Sequence, residues 1–253
     1  MRKRLDLLLV ERGLADSRSQ AQALVMAGRV PGFEKAGQQV DETASLEVLQ
    51  PPRFVSRGGE KLDHALDVLG VDPSGRDALD VGSSTGGFTD VLLQRGAKRV
   101  IALDVGRAQL HERLRADARV TVMEGVNARH LAELAFPPEL VTCDVSFISA
   151  RQVLKPVLRL AKAGWEAVVL VKPQFEAGRA DVRGGVVRDA EIHRRVVREV
   201  AEEGLLWEAE TVGVTDSGLP GPKGNREFFV HLVHRPDARL PEALDDWIRD
   251  AVG

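Results

Sequence analysis

Between residues 77 and 172 the chain carries five short apolar runs, "DALDVG", "RVIALDV", "VTVME", "ELVTCDV" and "EAVVLVK", separated by segments of helical character. A strand with one wet face alternates apolar and polar residues. These runs are nearly continuous in Val, Ile, Leu and Ala, so they are buried on both faces. A parallel sheet covered by helices on either side is the arrangement that does this. The helices are expected at about 86–95, 107–115, 128–134, 149–162 and 189–204. Two further strands, "WEAETVGVTDS" and "REFFVHLVHR", are joined only by "GLPGPKGN". That loop is too short for a helical crossover, so this terminal pair is predicted antiparallel. "PEALDDWIRDAV" reads as a closing helix.

Residues 1–50 follow a different pattern and form a small α+β unit. "RLDLLLVERG" sets Leu5, Leu8 and Leu9 on one helical face, with Gly13 as the stop. "DSRSQAQALVMAGRV" begins at Asp16 or Ser17 as N-cap, lines up Ala21, Leu24 and Val25, and ends at Gly28. "ASLEVLQ" is predicted as a strand, and Pro51-Pro52 opens a stiff linker over 51–57. The second domain then runs from 58 to 253.

Composition narrows the possible partners. A net charge of −3 excludes binding nucleic acid by bulk charge, while leaving room for a local basic patch. One cysteine, Cys143, excludes a disulfide framework and a cysteine metal site, and it reads as a small buried residue. The six histidines show no ligand spacing, so no metal is expected; His64, His111 and His193 read as surface residues of helices. "LLLV" after "MRKRLD" is too short for a signal peptide or a membrane span, which reads as a soluble cytoplasmic protein.

The stretch "DVGSSTGGFTD", Asp80 to Asp90, sits between the first strand and its helix, where open α/β sheets bind ligands. It is not a phosphate loop, because no Lys-Ser/Thr pair follows the glycines, and the dinucleotide fingerprint fits poorly. Asp80 in front of the turn would repel a pyrophosphate. It suits a cofactor with a cationic amino-acid end, and S-adenosylmethionine carries a sulfonium and an ammonium but no phosphate. Contacts are expected from Asp80, Gly82, Ser84, Gly86, Gly87 and Phe88, with Asp104 on the ribose hydroxyls. Asn127 either faces the adenine or caps a helix. The bland alternative is a structural glycine turn in another kind of α/β enzyme.

"DVGSSTGGFTDVLLQRGA", "CDVSFIS", "LVKPQFE" and "PGPKGNREFF", in that order, resemble the TlyA family of ribosomal RNA 2′-O-methyltransferases, also known as hemolysin A-like proteins. "RLDLLLVERGLADSRSQAQALVMAGRV" resembles the RNA-binding domain of ribosomal protein S-four, although Pro31 interrupts the strand–turn–strand that the family has next. The resemblance implies a Rossmann-like, FtsJ-type methyltransferase domain behind an S4-like domain. It implies methylation of a ribose 2′-hydroxyl in ribosomal RNA, of a cytidine, with ribosomal RNA or ribosomal subunits as partner.

It also implies a Lys-Asp-Lys-Glu catalytic tetrad, which falls on Lys61, Asp144, Lys172 and Glu227. Their positions agree with that role. Asp144 and Lys172 close apolar runs at the functional edge of the sheet. Lys61 stands in the first turn of a helix, where a cation is unfavourable unless a carboxylate faces it. Glu227 interrupts an apolar strand. RNA contacts are expected from Arg2, Lys3, Arg4, Arg12, Arg18 and Arg29, and from Arg179, Arg183 and Arg188 in the glycine-rich stretch after Lys172. The rival readings are a methyltransferase for a different substrate and a membrane-active hemolysin. A small-molecule methyltransferase would need neither the two lysines nor the N-terminal module, and a hemolysin would need an amphipathic or spanning segment that the sequence lacks.

Overall fold

The computed structural model describes residues 2–50 and 52–253. The chain divides into two compact units, Met1–Arg53 and Phe54–Gly253.

In the first unit, β1 (Arg2–Arg4) leads directly into α1 (Leu5–Glu11), followed by α2 (Arg18–Met26) and β2 (Gln39–Asp41). The Ser17 hydroxyl accepts from the N–H of Gln20 and so caps α2. Leu5, Leu9, Ala21, Val25, Val30 and Val40 close a small core. β1 and β2 pair antiparallel, Lys3 opposite Val40. The strand predicted over "ASLEVLQ" does not form. Residues 44–50 pack Leu46 and Val48 onto the core, yet among the described residues their backbone joins no ladder and bonds other backbone only through a turn bond, Ala44 N–H to Asp41 C=O at 3.0 Å, and Leu49 N–H to Arg29 C=O at 2.7 Å. Apolar patterning marks what docks, but a strand also needs a partner for its backbone.

The second unit begins earlier than the linker reading implies, since Phe54 is buried in its core. It contains α3 (Arg57–Leu69), β3 (Asp77–Val81), α4 (Gly87–Gln94), β4 (Arg99–Asp104), α5 (Glu112–Arg115), β5 (Val120–Glu124), β6 (Leu140–Cys143), α6 (Ala150–Leu158), β7 (Glu166–Val171), α7 (Pro173–Glu176), α8 (Ala190–Glu203), β8 (Ala209–Asp216), β9 (Phe228–His234) and α9 (Leu244–Val252). The sheet order is β5-β4-β3-β6-β7-β9-β8. β3 to β7 pair in parallel, and β9 runs antiparallel between β7 and β8. One face packs on Leu62, Leu66, Val91 and Leu92 of α3 and α4. The other packs on Leu154, Val157, Val197 and Ile248 of α6, α8 and α9. The chain leaves β3 toward β4 on one side and reaches β6 on the other. That reversal opens a crevice at the C-terminal ends of β3, β4 and β6.

Two predicted helices shrink. Only Glu112–Arg115 of 107–115 is helical. The Glu124 carboxylate accepts the N–H groups of Ala108, Gln109 and Leu110, fixing that stretch as a loop with Ala108 at φ +55°. The Arg115 guanidinium, aided by those bonds, holds the Glu124 acid down at about 2. Of 128–134 only the single turn Ala128–His130 forms, and Pro137-Pro138 holds the following backbone extended. His193 is another correction. It is buried, its ring nitrogen lies 3.0 Å from the Val187 carbonyl, and desolvation lowers its pKa. Its helix position matched the sequence reading, but it faces inward. Cys143 is buried, and desolvation raises its thiol.

Candidate active site

The glycine turn is built around one close approach. Gly82 has φ +84°, and a Cβ on it would lie 2.3 Å from the Asp144 carbonyl oxygen. Only glycine lets the end of β3 press against the end of β6 in this way. Beside it Ser84 stands at φ +46°, its N–H donating to Asp104 Oδ2 at 2.8 Å, while Gly106 N–H donates to Oδ1 at 2.6 Å. Asp104 thereby ties the turn after β3 to the turn after β4. A cavity of about 470 Å³ opens here, with Gly82, Ser84, Asp104, Val105, Asn127 and Asp144 in its wall.

The other expected cofactor contacts are placed differently. Asp80 is fully buried beneath the turn. Its Oδ2 accepts the N–H and hydroxyl of Thr89, at 2.9 and 2.7 Å, and Thr142 lies beside its Oδ1. Desolvation, assisted by Asp144, pushes its acid up to about 7 against the Thr89 bonds. It therefore shapes the turn from below. A Cβ on Gly86 would meet Leu114, and Phe88 packs on Phe229 with centroids 6.0 Å apart. Both are packing positions. Asn127 lines the cavity and also accepts from the Arg129 N–H as a cap.

The cavity's chemistry fits S-adenosylmethionine. Leu103, Val105, Val126 and Ile148 offer apolar surface for a purine, Asp104 can meet ribose hydroxyls, and Asp144 is an anion for a cationic tail. Among the described residues in its wall, Arg129 is the one cation, which is a poor setting for a pyrophosphate.

A second cleft, of about 520 Å³, adjoins this cavity and shares Gly82, Ser84 and Asp144 with it. All four tetrad residues line it. Lys61 reaches it because α3 and α4 meet N-terminus to N-terminus. A Cβ on Gly87 would stand 2.2 Å from Ser56 Oγ and 2.8 Å from the Gly59 nitrogen. Buried Lys61 donates to Glu227 Oε2 at 2.5 Å, and Glu227 Oε1 is buried without a hydrogen-bond donor from the described residues. Lys172 pairs with Asp144 and donates to Ser146 Oγ at 3.0 Å. The tetrad is therefore two lysine–carboxylate pairs in one cleft. Its members come from α3, the ends of β6 and β7, and the residue before β9.

The basic residues of the first unit are less free than their sequence suggests. Arg4 and Arg18 both bond the buried Asp6 carboxylate, at 2.9–3.0 Å, and Gln22 joins them at 2.9 Å. These bonds, Arg4 foremost, hold the Asp6 acid well below the usual range. Lys3 pairs with Glu11 at 2.7 Å, Arg12 donates to the carbonyls of Glu42 and Ala44, and Arg29 to that of Gln50. Arg2 lies exposed on β1. Arg179, Arg183 and Arg188 are exposed, and Arg183 with Arg188 borders a depression that also contains Asp181 and Asp189.

Sequence reasoning missed Phe147. It is 92% exposed, stands at φ +66°, and its ring centroid is 5.2 Å from that of Phe175. A bulky side chain in the left-handed region is strained, and strain of this kind gathers at functional sites. It lies inside the quoted "CDVSFIS", but sequence carries no sign of backbone strain.

With this geometry in view, known proteins place the chain. Residues 54–234 match the family model of the FtsJ-like methyltransferase, and residues 3–30 that of the S4 domain. The chain belongs to the FtsJ-like methyltransferase family, and within it to the TlyA group. It is 44% identical to the 16S/23S rRNA (cytidine-2′-O)-methyltransferase TlyA of Mycobacterium tuberculosis, over 99% of this chain and 97% of that protein. It is 46% identical to the Bacillus subtilis protein YqxC, over 91% of this chain and 85% of that one. A solved structure of a hemolysin-labelled protein from Streptococcus thermophilus superimposes with a TM-score of 0.75 at 38% identity, covering 98% of this chain and 94% of the other.

Proposed function

We propose that the protein transfers a methyl group from S-adenosylmethionine to the 2′-hydroxyl of a cytidine ribose in ribosomal RNA, acting on ribosomal subunits in the cytoplasm. The observation that carries this reading is the pair of lysine–carboxylate contacts in a cleft that shares its floor, Gly82, Ser84 and Asp144, with the cofactor-sized cavity. The substrate follows from the 44% identical rRNA (cytidine-2′-O)-methyltransferase and from the S4 domain.

Gly82, Ser84, Asp104 and Asn127 would hold the cofactor, with Asp80, Gly86, Gly87 and Phe88 shaping the turn around it. When bound, S-adenosylmethionine supplies an electrophilic methyl carbon. The protein's task is the acceptor oxygen, which has to be placed in line and relieved of its proton. Lys172 has three N–H donors. Ser146 accepts one of them and Asp144 pairs with the ammonium as a charge, so an N–H is left for the ribose oxygen. Lys61, braced by Glu227, orients the ribose or its phosphate, and the unpartnered Glu227 Oε1 accepts from a substrate hydroxyl. Phe147 offers a face for the base of a nucleotide turned out of its stack. Arg2, Lys3, Arg4, Arg12, Arg18, Arg29, Arg179, Arg183 and Arg188 meet phosphates. The chemistry proposed needs no metal. A membrane-active reading has little to rest on, since no described helix is long and apolar enough to cross a bilayer.

Substitutions at Lys172 test the chemistry. Lys172→Ala should lower turnover at least ~10²-fold, the usual scale for lost acid–base help and positioning, while RNA affinity changes little. Lys172→Arg keeps the charge but cannot become neutral near physiological pH. Loss of activity in the arginine variant makes Lys172 the base, and retention makes it an electrostatic guide. Near wild-type turnover in Lys172→Ala rules out the mechanism.

A further inference from the structure

The sheet holds Asp144 and Lys172 separately, Asp144 by its N–H on the Val81 carbonyl of β3 at 2.9 Å and Lys172 by following the β7–β9 pair Val171 and Phe228, but it does not join them to each other. The β6–β7 ladder ends at the pair Cys143 and Val169, before either residue is reached. Asp144 opens a loop that runs to Ser149, the cap of α6. Lys172 opens the turn that becomes α7, and Glu176 closes that turn with its N–H on the Lys172 carbonyl at 3.2 Å. The Glu176 carboxylate reaches back to the other loop. Oε2 accepts the Ser149 hydroxyl at 2.5 Å and Oε1 accepts the Ala150 N–H at 2.7 Å, with Arg151 Nε 3.3 Å away. The residue is 9% exposed. A buried carboxylate is stable only when it is well bonded, and these are its bonds. The Phe147–Phe175 contact joins the same two segments.

We propose that Glu176 is a positioning residue for methyl transfer, its carboxylate strapping the loop that carries Asp144 to the turn that carries Lys172. The inference rests on the methyl-transfer reading. A cap for α6 could come from Ser149 alone, which already accepts the Arg151 N–H at 3.2 Å. Glu176 adds a link between the two catalytic segments, made by a residue whose distance from Lys172 is set by one helical turn.

The test uses the full chain and ribosomal subunits. Glu176→Ala should lower kcat by ~10–100-fold, the scale of a small misplacement of reacting groups. The KM for RNA and the Kd for S-adenosylmethionine should stay within about threefold, as expected when only the transition state is affected. Glu176→Gln should recover most of the loss, because its carbonyl can accept from Ala150 and its amide can donate to Ser149 Oγ. Arg151→Ala, which leaves both strap bonds in place, should turn over like the wild type. Amide exchange over residues 144–149 should quicken in Glu176→Ala. If Glu176→Ala does not fold, Ser149→Ala removes one strap bond and should still lower kcat at unchanged Kd. Wild-type kcat in a folded Glu176→Ala, or in Ser149→Ala, overturns the proposal, as does unchanged exchange over 144–149. If the wild-type protein itself transfers no methyl group, the functional reading fails instead, and the exchange measurement still decides the strap.

Discussion

Asp80 and Asp144 lie close together beneath the turn and do opposite things. Asp144 is partly exposed and paired with Lys172, so it can serve a ligand. Asp80 is fully buried, with Thr89 at the N-terminus of α4 as its main partner. Burial lifts its acid to about 7, against about 3.9 in an unfolded chain. The folded protein therefore keeps this proton while the unfolded chain loses it. The contribution to stability is complete below about pH 4, declines as pH rises toward 7, and is gone above that. Asp80→Asn keeps an acceptor for Thr89 and places a donor toward Thr142, so it should fold and lose this dependence. Relative to wild type its melting temperature should rise steadily between pH 4 and pH 7. An offset that is constant across that range would show that Asp80 is ionised in the fold.

At the scale of the element, the turn between β3 and α4 sets the site, and Gly82 is its narrowest point. Gly82→Ala would drive a methyl group against the Asp144 carbonyl, 2.3 Å from the ideal Cβ, in a left-handed conformation. Calorimetry on the wild type should show binding of S-adenosylmethionine and none of NAD, and Gly82→Ala should abolish that binding. Wild-type affinity in the variant would mean that the cavity lies elsewhere. The parallel strands, their helices and the antiparallel end pair were legible because double-sided burial leaves a plain apolar run. The shortened helix at 107–115 and the missing strand at 44–50 were not, because each depends on a distant or absent partner. Glu124 captures the N–H groups of one, and no ladder receives the other. The four residues of the proposed tetrad were picked out by motif, yet their division into Lys61–Glu227 and Lys172–Asp144 depends on which strand ends become neighbours. The strap by Glu176 and the strain at Phe147 exist only in three dimensions.

At the scale of the whole molecule, the two units divide the work. The first, which matches the S4 domain, holds Arg4 and Arg18 on the one buried Asp6 carboxylate, and these are the cations proposed to meet phosphates. The second carries the cavity and cleft. Removing residues 1–53 should leave calorimetric binding of S-adenosylmethionine unchanged. It should weaken RNA binding and flatten its dependence on salt, since each lost phosphate contact lowers the slope by about 0.7–0.9. Equal affinity and an equal slope in the truncated protein would mean that the basic residues of the first unit are a solvated surface. The central claim is tested most directly by incubating the protein with ribosomal subunits and labelled S-adenosylmethionine, then mapping the modified nucleotide in wild type and Lys172→Ala. The expected result is label on a cytidine 2′-oxygen in ribosomal RNA, lost in the variant. Label on a base, or none in RNA with the wild-type protein, would contradict it.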